Sequence, residues 1–410
     1  MILSELFTAI IRREEFGGII FIPSRNAQIA INYDLYQIIQ IIVAHKSLEE
    51  NIVRSIADKY QSGVDDARKI LEVCLKMIAE NLDSYTENSD QPSDWDSNSD
   101  NPVAIKLSAP LMLIIEVTNF CNQNCNFCCL AEETKAANIS LMPDEMIRGI
   151  IDDSRELGVF KIQFMGGEPL CRDGFSEIIK YTSENGIYVS FTTNGLLLGK
   201  IVNDLRQVKR LLPIQVSIHG DFESSQRYRI SPGELKTTIE GCNLLAEKGI
   251  SFGVKAVISR LNYKKVFDLI CSLDNLGAKT VTLLHLLPVG RGKEIEESSR
   301  FSENEINEII EQIKTARRAV KNIHIDHRPF LNVYFPKKPK TDLDKFLNCP
   351  AGNSDLRIRY DGKILQCSSL RLPIDDICVG GLKKVWSSLR AKMQQCPYEC
   401  KQVFQCIQSY

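Results

Sequence analysis

From Leu111 to about Ala319 the chain alternates short runs rich in Val, Ile and Leu with longer amphipathic stretches, a pattern that few folds accommodate. The apolar runs fall near 111–117, 161–165, 188–192, 213–218, 251–258 and 280–286. Met142–Leu157, Leu235–Lys248 and Tyr263–Leu276 are among the helical stretches between them. Strands joined through helices pair in parallel with right-handed crossovers, and in barrels built this way the sites lie at the carboxyl ends of the strands. The expected class is therefore α/β with a parallel sheet.

Directly after the first run stand Cys121, Cys125 and Cys128, a C-x3-C-x2-C spacing on an otherwise polar loop (Asn122, Gln123, Asn124, Asn126). A short loop of this kind brings three thiolates to one soft metal centre. Cubane iron–sulfur clusters are held by cysteine thiolates and usually take four, so three local ligands leave one iron open to a second molecule. Zinc is the alternative. It prefers closed four-ligand sets with paired C-x2-C knuckles, and Cys129 beside Cys128 is an available, awkwardly placed fourth thiol.

The loop, read as C-x3-C-x-aromatic-C with Phe127 in the aromatic slot, resembles the signature of the radical S-adenosylmethionine (radical SAM) enzymes. Gly166-Gly167-Glu168-Pro169, after the second run, resembles that family's GGEP motif. The resemblance implies a partial (β/α)6 barrel, a [4Fe-4S] cluster on Cys121, Cys125 and Cys128, and S-adenosylmethionine bound at the open iron. It implies that the GGEP strand edge binds the methionine amino group, and that an electron from the cluster cleaves the sulfonium to a 5′-deoxyadenosyl radical, which abstracts hydrogen from substrate. Thr193 and Asn194 end the third strand, where hydroxyl and amide groups can hold a carboxylate or ribose. By resemblance, Ser217 in the fourth strand and Arg229 contact the methionine carboxylate; Gln226 replaces the acid of the family's D-x-x-R pattern. His219 stands where relatives often have Asp and is assigned to the substrate pocket. The fifth and sixth strands flank the adenine, or are plain core.

Toward the C-terminus, Cys349, Gly362 and Cys367 form a C-x12-G-x4-C pattern around a hairpin signal, Arg357 to Leu365, with Asp361-Gly362 as its turn. Cys396, Cys400 and Cys406 follow. Residues 345–410 resemble the auxiliary-cluster domain called SPASM, or its shortened twitch form, although C-x3-C replaces the usual C-x2-C. One auxiliary Fe–S cluster is expected, with Cys349 and Cys367 as its firmest ligands and the others drawn from Cys396, Cys400 and Cys406. A zinc knuckle at Cys396 and Cys400 is the alternative. Cys378 lies in an apolar turn and is left out.

Residues 1–82 read as a winged-helix-like unit: strand-like Gly18–Pro23 and Ala27–Ile31 joined at Ser24-Arg25-Asn26, then three helices. Asn32 is a plausible N-cap for the first of these helices, and Ser47–Glu50 forms a capping box for the next. The unit is similar to the peptide-recognition domain of enzymes that modify ribosomally made peptides, in which the precursor leader adds as a strand. Residues 83–104 read as an acidic linker too polar to order itself, and 105–330 as the barrel.

With 50 basic against 52 acidic residues, nothing in the balance favours a nucleic-acid partner. No apolar stretch approaches a membrane span, and Glu14 and Glu15 follow Arg12 and Arg13 too soon for a leader, so a cytoplasmic location is expected. Fourteen cysteines in such a chain point to metal rather than disulfides. Taken together, the resemblances imply a maturase that docks a precursor leader, accepts electrons from a donor such as flavodoxin or ferredoxin, and most often forms a thioether from cysteine sulfur to carbon. Carbon–carbon or carbon–oxygen cross-linking and epimerisation would use the same scaffold. A non-enzymatic Fe–S carrier or zinc-held scaffold would leave GGEP and Arg229 without a use.

Overall fold

The computed structural model describes residues 2–46, 49–86, 107–130, 139–286, 289–298, 301–327, 330, 354–365, 371 and 373–393. Cys349, Cys367, Cys396, Cys400 and Cys406, residues 87–104 of the expected linker, and the Ser47 end of the expected capping box lie outside them. The contacts divide the chain into two units, the first reaching Ser108 and the second beginning at Ala109.

The first unit opens with α1 (Ile2–Leu6) and an antiparallel sheet of β1 (Ile10–Glu14), β2 (Gly17–Ile22) and β3 (Ala27–Ile31), in that order. Then come α2 (Tyr33–His45), α3 (Glu49–Tyr60) and α4 (Val64–Thr86). Asn32 caps α2 as its position suggests, its Oδ1 accepting from the Leu35 amide at 2.9 Å. Strand β1 was not expected, because Arg12, Arg13 and Glu14 break any apolar alternation. Its charges are instead satisfied inside: Arg12 Nε donates to Glu14 Oε1 at 2.8 Å, and Glu14 Oε2 accepts from the Ser108 amide at 2.8 Å. Gly18 lets the sheet meet α2, since a Cβ there would lie 2.3 Å from the Tyr36 ring. The expected linker start at 83 falls within α4, where Asp83 to Thr86 contain no Gly or Pro to stop the helix.

The second unit is one sheet of ten strands among the described residues. Its core runs β4 (Met112–Glu116), α5 (Asp144–Leu157), β5 (Lys161–Met165), α6 (Phe175–Glu184), β6 (Tyr188–Thr193), α7 (Leu198–Leu205), β7 (Ile214–Ser217), α8 (Phe222–Arg227), α9 (Pro232–Glu247), β8 (Phe252–Ile258), α10 (Val266–Asn275), β9 (Thr280–His285) and α11 (Glu303–Ala319). Strands β4 to β9 are neighbours in chain order and all parallel. Sequential order puts every right-handed crossover on the same face, so the sheet winds one way, as in a barrel, instead of reversing. The helices start where the chain chemistry says they should. Ser231 and Ser302 form full capping boxes with Glu234 and Glu305, and α9 begins on Pro232.

Beyond β9 the sheet gains β10 (His324–Asp326), parallel to it. At the other edge lie β11 (Asp355–Ile358), β12 (Lys363–Leu365) and β13 (Pro373–Asp376), followed by α12 (Gly381–Met393). The expected hairpin is present as β11 and β12, with Gly362 in the left-handed region at φ +84°. It also pairs in parallel with β4, Leu356 opposite Leu113, so the sheet is continuous where the sequence suggested a separate last unit.

Alternation across the central strands sets up the site. Residues facing the helices, among them Leu113, Phe164, Phe191, Val216, Val254 and Val281, are fully buried at 0% exposure. Those on the opposite face include Gln163, Thr192, Gln215, Ser217, Lys255 and Thr282, half-buried and mostly polar. One face of the sheet is oil; the other lines a polar lumen.

Candidate active site

The thiol loop leaves β4 and is held from three sides. Gly167 and Glu168 donate backbone N–H groups to Thr118 O (2.8 Å) and Phe120 O (2.7 Å), laying the segment after β5 flat on the residues before Cys121. The approach is so close that a Cβ at Gly167 would lie 2.0 Å from Phe120 O, and one at Gly166, where φ is +149°, 2.3 Å from Thr118 O. The end of α8 forms a second side: Asn126 Nδ2 donates to Arg227 O at 3.0 Å. On the third, Arg291 donates from its backbone N to Cys128 O (3.0 Å) and from Nε to Cys125 O (2.7 Å). Gly290 allows this, because its Cβ would lie 2.5 Å from Cys128 O. Arg291 was not singled out in the sequence, although Gly290-Arg291-Gly292 after the sixth strand was a legible turn at a carboxyl end.

The loop's sulfurs feel one another. Burial first, then the Cys128 and Cys121 charges, push the Cys125 thiol up to about 12, and burial pushes Cys121 up to about 11. Such thiols ionise together only when a cation takes their charge. Among the described residues no three His, Cys, Asp or Glu side chains meet closely enough for a single metal ion. A structural zinc gathers its donors around one point, whereas each cysteine of a cubane binds its own iron. Three cysteine thiols on one polar loop are the donor set of a cubane with one iron left open.

Glu168 is buried, and both its oxygens accept: Oε1 from Leu170 N (3.0 Å) and Thr193 Oγ1 (2.8 Å), Oε2 from Asn194 N (2.7 Å). Burial outweighs these bonds and pushes its carboxyl up to about 7. The carboxylate thus ties the end of β5 to the end of β6. From there Asn194 Nδ2 reaches Asn122 Oδ1 at 2.7 Å and Cys121 Sγ at 3.9 Å. Glu168→Gln can offer only one acceptor oxygen to these donors. It is expected to cost about 1–3 kcal/mol in thermal unfolding, as for an unsatisfied buried donor.

Phe127 packs edge-on to His219 (ring centroids 4.6 Å apart) and Tyr228 (4.9 Å). His219 is therefore not a pocket residue, contrary to expectation. Its Nδ1 accepts from Val257 N at 3.0 Å, Asn262 Nδ2 donates to its carbonyl at 2.6 Å, and burial holds it neutral by lowering its pKa to about 4. An imidazole can accept a backbone N–H and pack an aromatic edge at once, and that is how His219 is used.

Tyr228 seats the next residue, Arg229, which is exposed and held in the left-handed region at φ 60°. A long side chain rarely adopts that backbone, and such outliers cluster at ligand sites. Ser217 ends β7 facing the lumen, in register with Lys255 on β8. The structure thus brings Cys121, Cys125, Cys128, Phe127, Gly166, Gly167, Glu168, Thr193 and Asn194 into one contact network; Arg229 adjoins it through Tyr228, whose carbonyl accepts from Asn126 N at 3.4 Å, while Ser217 is placed only by its strand, at the end of β7.

Residues 115–301, which contain this whole network, match the family model described as the Radical SAM superfamily. These residues form a radical SAM domain. Its cofactors are a [4Fe-4S] cluster and S-adenosylmethionine. The enzyme is 25% identical over 295 residues to the PqqA peptide cyclase of Granulibacter bethesdensis, covering 70% of this chain and 76% of that one. It is 33% identical over 196 residues to the AdoMet-dependent heme synthase of Methanosarcina barkeri, covering 47% and 55% respectively. Among solved structures, Streptococcus suis SuiB bound to its precursor peptide SuiA has the same fold, with a TM-score of 0.65 over 93% of this chain and 87% of that one, at 17% identity. No helix among the described residues is long and apolar enough to cross a membrane.

Proposed function

We propose that this radical SAM enzyme modifies a ribosomally synthesised precursor peptide, forming a thioether between a cysteine sulfur and a carbon of another residue. The observation that carries the peptide reading is the likeness to SuiB along 93% of the chain, N-terminal unit included, beside a sequence relative that is a peptide cyclase. A barrel alone is shared with relatives of quite different substrates, such as the heme synthase. The three-stranded sheet before it is what a leader peptide would extend, at an edge strand.

When bound, the cluster and S-adenosylmethionine supply a 5′-deoxyadenosyl radical by one-electron reductive cleavage, the electron coming from a donor such as flavodoxin or ferredoxin. The residues that would hold them are Cys121, Cys125 and Cys128 for the cluster and, for the cofactor, the backbone of Gly166 and Gly167, Asn194, Ser217 and Arg229. Glu168 and Thr193 act through the backbone they fix, because the Glu168 oxygens are already engaged. Phe127 seals the loop against the barrel wall, keeping water from beneath it. Arg229 offers a fixed positive charge for a carboxylate. A single auxiliary cluster on Cys349, Cys367 and members of the Cys396, Cys400, Cys406 set would take the remaining electron or the substrate sulfur. The paired strands between Cys349 and Cys367 support this, since they extend the edge of β4, the strand from which the thiol loop leaves.

The test is the mass of the short peptide encoded beside the gene, co-expressed with the enzyme without oxygen and compared with a Cys125→Ala control. Loss of a pair of hydrogens per modification, with cysteines that then resist alkylation, is the expected result. The same loss with free thiols would move the bond to carbon or oxygen. An unchanged mass with no deuterium uptake from solvent would defeat the peptide reading.

A further inference from the structure

The lumen face of the barrel carries more positive charge than it neutralises. Four cations approach it among the described residues, Lys161, Lys255, Arg357 and Arg371, against the three carboxylates Glu116, Asp355 and, two strands from Lys255 on β10, Asp326. Glu116 takes both arginines, Arg357 Nε at 2.8 Å and Arg371 through Nη1 and Nη2 at 2.8 and 3.0 Å. Asp355 lies opposite Met112, which lies opposite Lys161, and its charge favours the Lys161 ammonium. Lys255 is left with a hydroxyl: its Nζ reaches Thr192 Oγ1 at 3.4 Å, an oxygen that also accepts from Gln163 Nε2 at 2.9 Å. Burial, then the Arg357 and Lys161 charges, bring its amine down to about 8.

An ammonium set among cations, with no carboxylate beside it, is a cost to folding. Apolar residues would close a barrel more cheaply. Position says what the charge is for. Thr192 precedes Asn194, whose amide reaches Cys121, so the Lys255 amine lies one layer deeper in the barrel than the thiol loop. Lys255 is half-buried, on the polar face of the sheet with Thr192 and Gln163. A group entering at the carboxyl ends of the strands, where barrels of this kind carry their sites, would meet it.

We infer that Lys255 is a substrate-binding residue that receives a carboxylate side chain, aspartate or glutamate, of the peptide. The inference rests on the peptide-modifying reading above and adds to it the chemistry of the residue that enters the lumen. A charge-assisted bond made only in the complex sets the affinity of the peptide and the depth to which it enters.

The experiment uses the full enzyme with the peptide encoded beside its gene, and a set of that peptide in which each Asp or Glu is changed in turn to its amide. If wild-type enzyme leaves the parent peptide unmodified, the peptide reading itself fails. If it modifies the parent, Lys255→Gln is expected to raise the peptide KM about 10–100-fold, the size of a lost charged hydrogen bond. One acid-to-amide peptide should show the same rise with wild-type enzyme and no further rise with the variant, while Lys255→Arg restores part of the affinity. Lys255→Gln should also raise Tm, because it removes a cation from beside Arg357 and Lys161; a residue serving only the fold would lower it. Independent, additive losses in enzyme and peptide, or modification of a peptide with no acidic residue at parental KM, would overturn the inference. So would a rise confined to the KM of S-adenosylmethionine, which would place the amine on the cofactor's own carboxylate.

Discussion

Replacing Cys125 by alanine is expected to reduce 5′-deoxyadenosine formation to background and lower the iron content, while thermal unfolding stays near that of wild type. The reason is a division of labour within one residue. The backbone of Cys125 carries the fold, through the 2.7 Å bond from Arg291 Nε to its carbonyl, and alanine keeps that carbonyl. Its sulfur meets only Gln123 Oε1, at 3.7 Å, among the hydrogen-bonding groups described. Loss of that thiol therefore removes a cluster ligand without opening the loop. Cys74→Ala is the contrasting control: its side chain is buried in the core of the first unit, and its loss should cost about 1–3 kcal/mol while leaving cleavage intact. Undiminished 5′-deoxyadenosine from Cys125→Ala would remove this loop from the cluster.

Gly167→Ala is expected to act the other way, through the fold first. The added methyl would stand 2.0 Å from Phe120 O and 2.3 Å from Phe120 C, both backbone atoms that no rotamer change can move. Accommodating it means separating the segment after β5 from the thiol loop. That loosens the bonds from Gly167 N to Thr118 O and from Glu168 N to Phe120 O. Two hydrogen bonds at about 1 kcal/mol each, plus about 1–3 kcal/mol for overpacking, suggest a loss of roughly 3–5 kcal/mol in chemical denaturation, together with iron. Gly149→Ala provides the comparison. That glycine lies inside α5 with nothing within 4 Å of an added Cβ, so alanine should stabilise the enzyme by about 0.5–1 kcal/mol. Equal midpoints for the two variants would contradict the close docking of the loop.

The same glycines show how much of the site could be read from the sequence. The motif pointed to Gly166 and Gly167, but not to the reason, which is a collision with residues some fifty positions earlier in the chain. By the motif Glu168 belongs to the strand edge that binds the methionine amino group, yet its oxygens turn inward to Thr193, Asn194 and Leu170. His219 followed the same course, from expected pocket residue to a packed partner of Phe127. Arg291 left no composition signal at all, since one arginine in a polar turn reads as solvated surface.

The sequence by itself determined the order of strands and helices and the thiol loop at the end of β4. Those features depend on local period: alternation in a strand, a 3.6-residue face on a helix, capping residues beside it, and cysteines a few positions apart. Tertiary structure alone decided that β11 adds to β4, that Arg291 clamps the loop, and that Lys255 feels the charges of Arg357 and Lys161. Each of these joins residues roughly a hundred or more positions apart. No local pattern encodes such a meeting, because it depends on which face of each strand the helices cover and on how far the sheet has curled when its ends approach.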